Sequence, residues 1–156
     1  MMHYRIEGLP LDAFAGLFAL DDAALAAHGA RRVIADAKPG FPCRITLEDA
    51  EPGERLILLN HADHDVATPF RNAYAIYVRE QATAATVMED ALPPVFAGRA
   101  IVLRGYGADG MLKAARLTPG SDAAGPIAEL FADSAVAYIH AHNAAAGCFA
   151  ARIDRA

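Results

Sequence analysis

His140, His142 and Cys148 bring two imidazoles and a thiol into nine consecutive positions, in the run His-Ala-His-Asn-Ala-Ala-Ala-Gly-Cys. The residues ahead of them, Ala135-Val136-Ala137-Tyr138-Ile139, are apolar and β-prone, so the segment reads as a strand. Side chains alternate across a strand with period two. That places His140 and His142 on one face with Val136 and Tyr138. Ala135, Ala137, Ile139 and Ala141 fall on the other face, small and apolar enough to lie under a helix. Two imidazoles projecting side by side from a strand suit a transition metal. The third ligand would come from Cys148, Cys43, Asp63, His61 or His64. The competing reading is structural, with both rings satisfied by Tyr138 or by backbone.

Gly147 supplies the turn and Cys148 opens the return strand. Cys148 would act as a nucleophile if His142 served as its base, which needs the two within hydrogen-bond reach. Register decides this. Pairing of residue 142 with 148 puts both on one face, whereas pairing of 143 with 148 turns the thiol away. The expectation is the shared face. Cysteine is also among the most buried residue types, so a plain core thiol is the alternative for Cys148 and for Cys43.

Two arginines, Arg44 and Arg104, sit at strand positions beside apolar residues. An arginine held there has an acidic partner or points into a ligand pocket. Arg71, in Thr-Pro-Phe-Arg, offers a planar fork for a carboxylate or phosphate. The run His61-Ala-Asp-His-Asp65 has metal-like spacing, but Pro69 and the polar residues around it predict a solvated loop over 61–72. Glu48, Asp49, Glu51 and Glu54 crowd one Pro-Gly turn and read as solvated charge.

The elements that must position these residues are short. Strands are expected at 4–9, 31–35, 43–47, 55–60, 74–79, 100–106, 111–117 and 135–142, followed by a return strand from Cys148. Asp109-Gly110 marks a hairpin between 100–106 and 111–117. Short helices follow Asp12 and the Asp21-Asp22 pair, and a third spans 121–131 with Pro126 tolerated near its start. The segment 81–92 fits neither state. These elements predict one α+β domain over 1–156, built on a largely antiparallel sheet of about seven strands with about three short helices. The spacing from Leu117 through the third helix to Val136 would also allow a mixed sheet. The strand at 135–142 carries no charge to blunt an edge and is expected to be central.

With 54% hydrophobic and 21% charged residues the chain is globular. A net charge of −5 and the lack of a basic cluster exclude a nucleic-acid surface. The uncharged stretch Ser134–Ala151 carries His140, His142 and Asn143 in its middle, against a membrane span. Neither an apolar signal core nor a cleavage site follows the N-terminus. Two cysteines suit a reducing compartment, and a cytoplasmic location is expected. Gly105-Tyr106-Gly107 lies at a hairpin rather than at a strand-to-helix turn, so it is no phosphate cradle. The residues name no cofactor.

The chain resembles a family of short bacterial proteins, domain of unknown function 1203. The resemblance is carried by Gly40-Phe41-Pro42-Cys43-Arg44, Glu48-Asp49-Ala50-Glu51-Pro52-Gly53-Glu54, Leu58-Leu59-Asn60, Ala75-Ile76-Tyr77-Val78-Arg79, Tyr138-Ile139-His140-Ala141-His142-Asn143 and Gly147-Cys148-Phe149-Ala150-Ala151-Arg152. It implies a bacterial, whole-chain domain and supplies no activity. This chain has Tyr74 where relatives often have His, which weakens any site drawing a third imidazole from that strand. The functional expectation is a small-ligand pocket, catalytic or not. Its walls would be His140, His142, Tyr138 and Cys148 against Cys43, Arg44 and Arg104. The alternatives are a non-catalytic oligomerisation or partner-binding domain, and transition-metal binding through His140 and His142.

Overall fold

A computed structural model describes residues 2–156. Among these residues nine strands form two antiparallel sheets, accompanied by three short α-helices. The strands are β1 (Tyr4–Glu7), β2 (Arg31–Ile34), β3 (Arg55–His64), β4 (Asn72–Arg79), β5 (Val87–Glu89), β6 (Ala100–Tyr106), β7 (Leu112–Pro119), β8 (Tyr138–Asn143) and β9 (Phe149–Arg155). The larger sheet has the order β5-β1-β9-β8-β6-β7, and the smaller is β2-β3-β4. The histidine strand β8 is interior, between β9 and β6, as its uncharged sequence requires. No helix among the described residues is long and apolar enough to cross a membrane.

Helix α3 (Ala124–Ala132) covers one face of the larger sheet. Its Ile127, Leu130 and Phe131 follow helical spacing and are buried with Ile101, Leu103, Ile139, Ala141 and Ile153. Full burial of such side chains stabilises by about 1.5–3 kcal/mol each, so this layer is the main core. Val136 joins it and is not on the histidine face: a Cβ on Gly105 would lie 3.1 Å from its Cγ1. Strand geometry begins only at Tyr138, so the alternation cannot be extended back to residue 136.

The β6–β7 hairpin forms as its turn residues dictate, with Gly110 at φ 76°. Strands β7 and β8 do run in the same direction across α3, as the crossover spacing suggests. Strand β6 lies between them, however, so every ladder is antiparallel and the sheet is not mixed.

A second core gathers Phe14, Leu25, Ile45, Ile57, Ile76, Val78 and Cys43 between the smaller sheet and helices α1 (Ala15–Phe18) and α2 (Asp22–Ala27). Asp21 caps α2 by accepting from the Ala24 N–H at 2.8 Å. The expected strand at 43–47 is instead a tight turn touching β4 through one parallel bridge, Cys43 to Tyr77. The thiol explains this. Cys43 Sγ accepts backbone N–H groups from Ile45, Thr46 and Arg79 at 3.3–3.4 Å, drawing the chain back on itself.

The acidic turn is only partly solvated. Glu54 and Asp49 are 6% and 7% exposed, and each is gripped by a guanidinium. Arg79 donates to Glu54 at 2.8 and 2.7 Å, and Arg99 donates to Asp49 at 2.8 and 2.6 Å.

Candidate metal centre

Strand β3 supplies the residue that completes the histidine pair. It runs four residues past the expected end at Asn60, and its ladder with β4 is irregular between His61 and His64. An irregularity of this kind re-aims side chains. Here it leaves Ala62 and Asp65 exposed while the Asp63 carboxylate is 0% exposed. The solvated loop expected over 61–72 is therefore confined to 65–71. His64, paired with Asn72, is held inside by aromatic rings.

Asp63 meets His140 and His142 from the facing sheet. Asp63 Oδ2 lies 3.6 Å from His140 Nδ1 and 3.9 Å from His142 Nε2. One atom from each of the three residues falls within 4.8 Å of the other two. Neither distance is a hydrogen bond. Both Asp63 oxygens, His140 Nδ1 and His142 Nε2 are buried without a hydrogen-bond partner. Leaving one such atom unpaired costs about 1–3 kcal/mol, and a carboxylate more. Four in one place is a large deficit for one cluster.

The protonation pattern makes the deficit specific. His142 Nδ1 lies 3.0 Å from the Gly147 carbonyl, which can only accept, so that nitrogen carries the proton and Nε2 presents a lone pair to Asp63. Burial pushes the His142 pKa down to about 4, despite the Gly147 bond that favours its charged form. Burial likewise lowers that of His140, with Asp63 opposing. Both imidazoles facing Asp63 thus favour their uncharged forms.

His64 borders this centre without a nitrogen to spare. Its Nδ1 donates to the Phe70 carbonyl at 2.7 Å, and its Nε2 accepts from the Tyr138 hydroxyl at 2.6 Å. Its ring stacks on Tyr106 at 3.9 Å between centroids. Tyr138 thus orients His64 and stands beside His140, with ring centroids 5.4 Å apart. Arg104 donates to the Tyr74 hydroxyl at 3.3 Å, and the Tyr74 ring meets His142 edge-on. His61 is outside the group, against Phe14.

Cys148 is not paired with His142. The Asn143 N–H bonds the Cys148 carbonyl at 2.9 Å, closing the hairpin one residue later than the shared-face register needs, and Phe149 falls opposite His142. The sulfur lies instead 3.1 Å from Arg44 Nη2 and 3.5 Å from Asn143 Nδ2. Arg44 and Cys148 line a pocket of about 490 Å³ together with Tyr74. Cys43 does not line it, being buried in the second core. Arg71 is at the surface, paired with Asp65 at 3.1 Å. The expected single cavity is therefore two neighbouring places that share Tyr74: a closed Asp–His–His cluster and an open Arg–Cys pocket.

Asp63 was one of several third partners that sequence spacing offered for the histidine pair. Its signal was weak because the polar run 61–65 reads as loop, and the irregularity that buries the carboxylate leaves no mark in the sequence.

Among known proteins, a family model matches residues 40–155, with the description Protein of unknown function (DUF1203). No curated protein and no solved structure matches the chain.

Proposed function

The chain belongs to that family, whose description states no function, and we propose that it binds one divalent transition-metal ion through Asp63, His140 Nδ1 and His142 Nε2. The observation that carries this reading is the convergence of buried, unpartnered polar atoms from three residues on one point. A shared proton would draw one pair to a hydrogen-bond distance, and the gaps of 3.6 and 3.9 Å are too wide for that. A cation with metal–ligand bonds of about 2.0–2.2 Å sets neighbouring donors about 3–3.5 Å apart, so small side-chain shifts would close the site. Two neutral imidazoles and one carboxylate suit Zn²⁺ or Fe²⁺ better than Mg²⁺ or Ca²⁺, which take mostly oxygen ligands.

The Gly147 carbonyl fixes the His142 ring as backbone acceptors fix metal-binding imidazoles elsewhere. Free thiols at Cys43 and Cys148 support a reducing, cytoplasmic setting. The test is elemental analysis of the purified protein, followed by calorimetric titration of Zn²⁺ and Fe²⁺ into chelator-treated samples. One ion per chain is expected, with binding lost in His140→Ala. Absence of stoichiometric metal in both experiments removes the proposal.

A further inference from the structure

The pocket beside the proposed metal centre contains a charge that the protein leaves unbalanced. Arg44 is 2% exposed, yet among the described residues no carboxylate pairs with it. Its Nε donates to the Phe149 carbonyl at 2.8 Å, Nη1 to the Pro42 carbonyl at 2.7 Å, and Nη2 to Cys148 Sγ. These partners aim the guanidinium without neutralising it. Burial pulls its pKa down from the ordinary arginine value, with Cys148 opposing, but a guanidinium stays protonated in proteins. A buried cation with no anion is costly. Each terminal nitrogen makes one hydrogen bond among the described residues, which leaves one N–H on each without a protein acceptor.

Arg99, the other arginine of this pocket, differs. Both of its terminal nitrogens are taken by Asp49, so the unmet charge belongs to Arg44 alone. The remaining wall is mostly apolar, with Pro42, Leu58, Ala75 and the rings of Tyr74 and Tyr77, and Asn143 adds an amide whose Nδ2 is directed at Cys148 Sγ. A volume of about 490 Å³ lies in the range of small-molecule sites, where an apolar wall with few polar groups is usual. Phosphate or sulfate alone would leave that wall empty.

We propose that this pocket binds a small organic monocarboxylate, with its carboxylate on the guanidinium of Arg44 and its apolar body against Leu58 and the two tyrosines. The assignment is independent of the metal reading, since it needs none of the cluster's three ligands. Cys148, in contact with Arg44 at the pocket wall, serves as the reporter. Cys43, 0% exposed in the second core, serves as the internal control.

The experiment measures iodoacetamide labelling of each cysteine by mass spectrometry on the full chain, with benzoate, benzamide or inorganic phosphate at millimolar concentration. Benzoate should slow Cys148 labelling at least about threefold, and benzamide and phosphate should not. Arg44→Met should abolish the protection. Ala75→Phe, which fills the pocket from the exposed face of β4, should abolish it too and decides the matter if Arg44→Met does not fold. Equal protection by benzamide, protection by phosphate alone, protection surviving in Ala75→Phe, or no protection by benzoate would overturn the assignment.

Discussion

At the scale of single residues, Asp63 does two opposed things. It lowers the stability of the metal-free chain, because its oxygens are buried without a hydrogen-bond partner. It also makes the cluster attractive to a cation. Asp63→Asn separates the two. The variant keeps the shape and offers an N–H₂ group to His142 Nε2, which the Gly147 bond holds as an acceptor. Asp63→Asn should therefore melt higher than the wild type when both are metal-free, by about 1–3 kcal/mol in stability, while losing the stabilisation by added Zn²⁺. Differential scanning calorimetry with and without metal reads both effects. A lower melting temperature for the metal-free variant would mean that the carboxylate is already satisfied, contrary to the geometry. His140 and His142 were legible because period two on an uncharged strand fixes their common face. The orientation of Asp63 was not, since it depends on an irregularity between two residues of β3.

At the scale of elements, the turns between strands hold the two sheets in place, and their chemistry is ionic and steric. Arg79 on β4 grips Glu54 just ahead of β3, and its hydrogen bonds, outweighing the effect of burial, hold the Glu54 carboxyl below its ordinary value near 4.5. A group depressed on folding contributes stability that is complete above the unfolded pKa and is lost as pH falls through the folded one. Urea midpoints should therefore show no pH dependence from this group between about pH 6 and 7, where its contribution is complete, and a loss below about pH 4.5. Glu54→Gln should flatten that acid limb and lower the plateau.

Gly8 holds a second junction. A Cβ there would stand 1.9 Å from the Ile45 carbonyl oxygen, beside the Leu9 N–H bond to Arg44. Gly8→Ala should destabilise by about 1–3 kcal/mol, measured by the same urea titration. A neutral result would show that the 43–47 turn is free to shift. The sequence announced the Asp-Gly hairpin and the Asp21 cap, because each uses local chemistry. It did not announce the 43–47 turn, where a thiol collects three backbone donors, one of them from β4.

At the scale of the molecule, the proposed ion would join the two sheets. Asp63 belongs to the three-stranded sheet, and His140 and His142 to the six-stranded one. The main core under α3 lies on the far face of the larger sheet, while Phe14 and Leu25 with Ile57 and Ile76 form a separate cluster. Between these cores, contact at the histidine face consists of aromatic rings, the His64–Tyr138 and Arg104–Tyr74 hydrogen bonds and the unpartnered polar cluster. Two sheets meeting over unsatisfied polar atoms should move more freely than either core. A ligand that binds only the folded state at a thousand times its dissociation constant adds about 4 kcal/mol. At about 2–4 °C per kcal/mol for a chain of this size, metal should raise the melting temperature by roughly 10 °C.

Location distinguishes a staple from general stabilisation. Under native conditions, where local opening dominates exchange, chelation should speed amide exchange in residues 59–64 of β3 and in β8 by at least about tenfold. It should leave β1 and α3 near their metal-loaded rates. Uniform acceleration across all elements would mean that the ion stabilises the chain only through global unfolding, and no change at β3 would place any bound metal elsewhere.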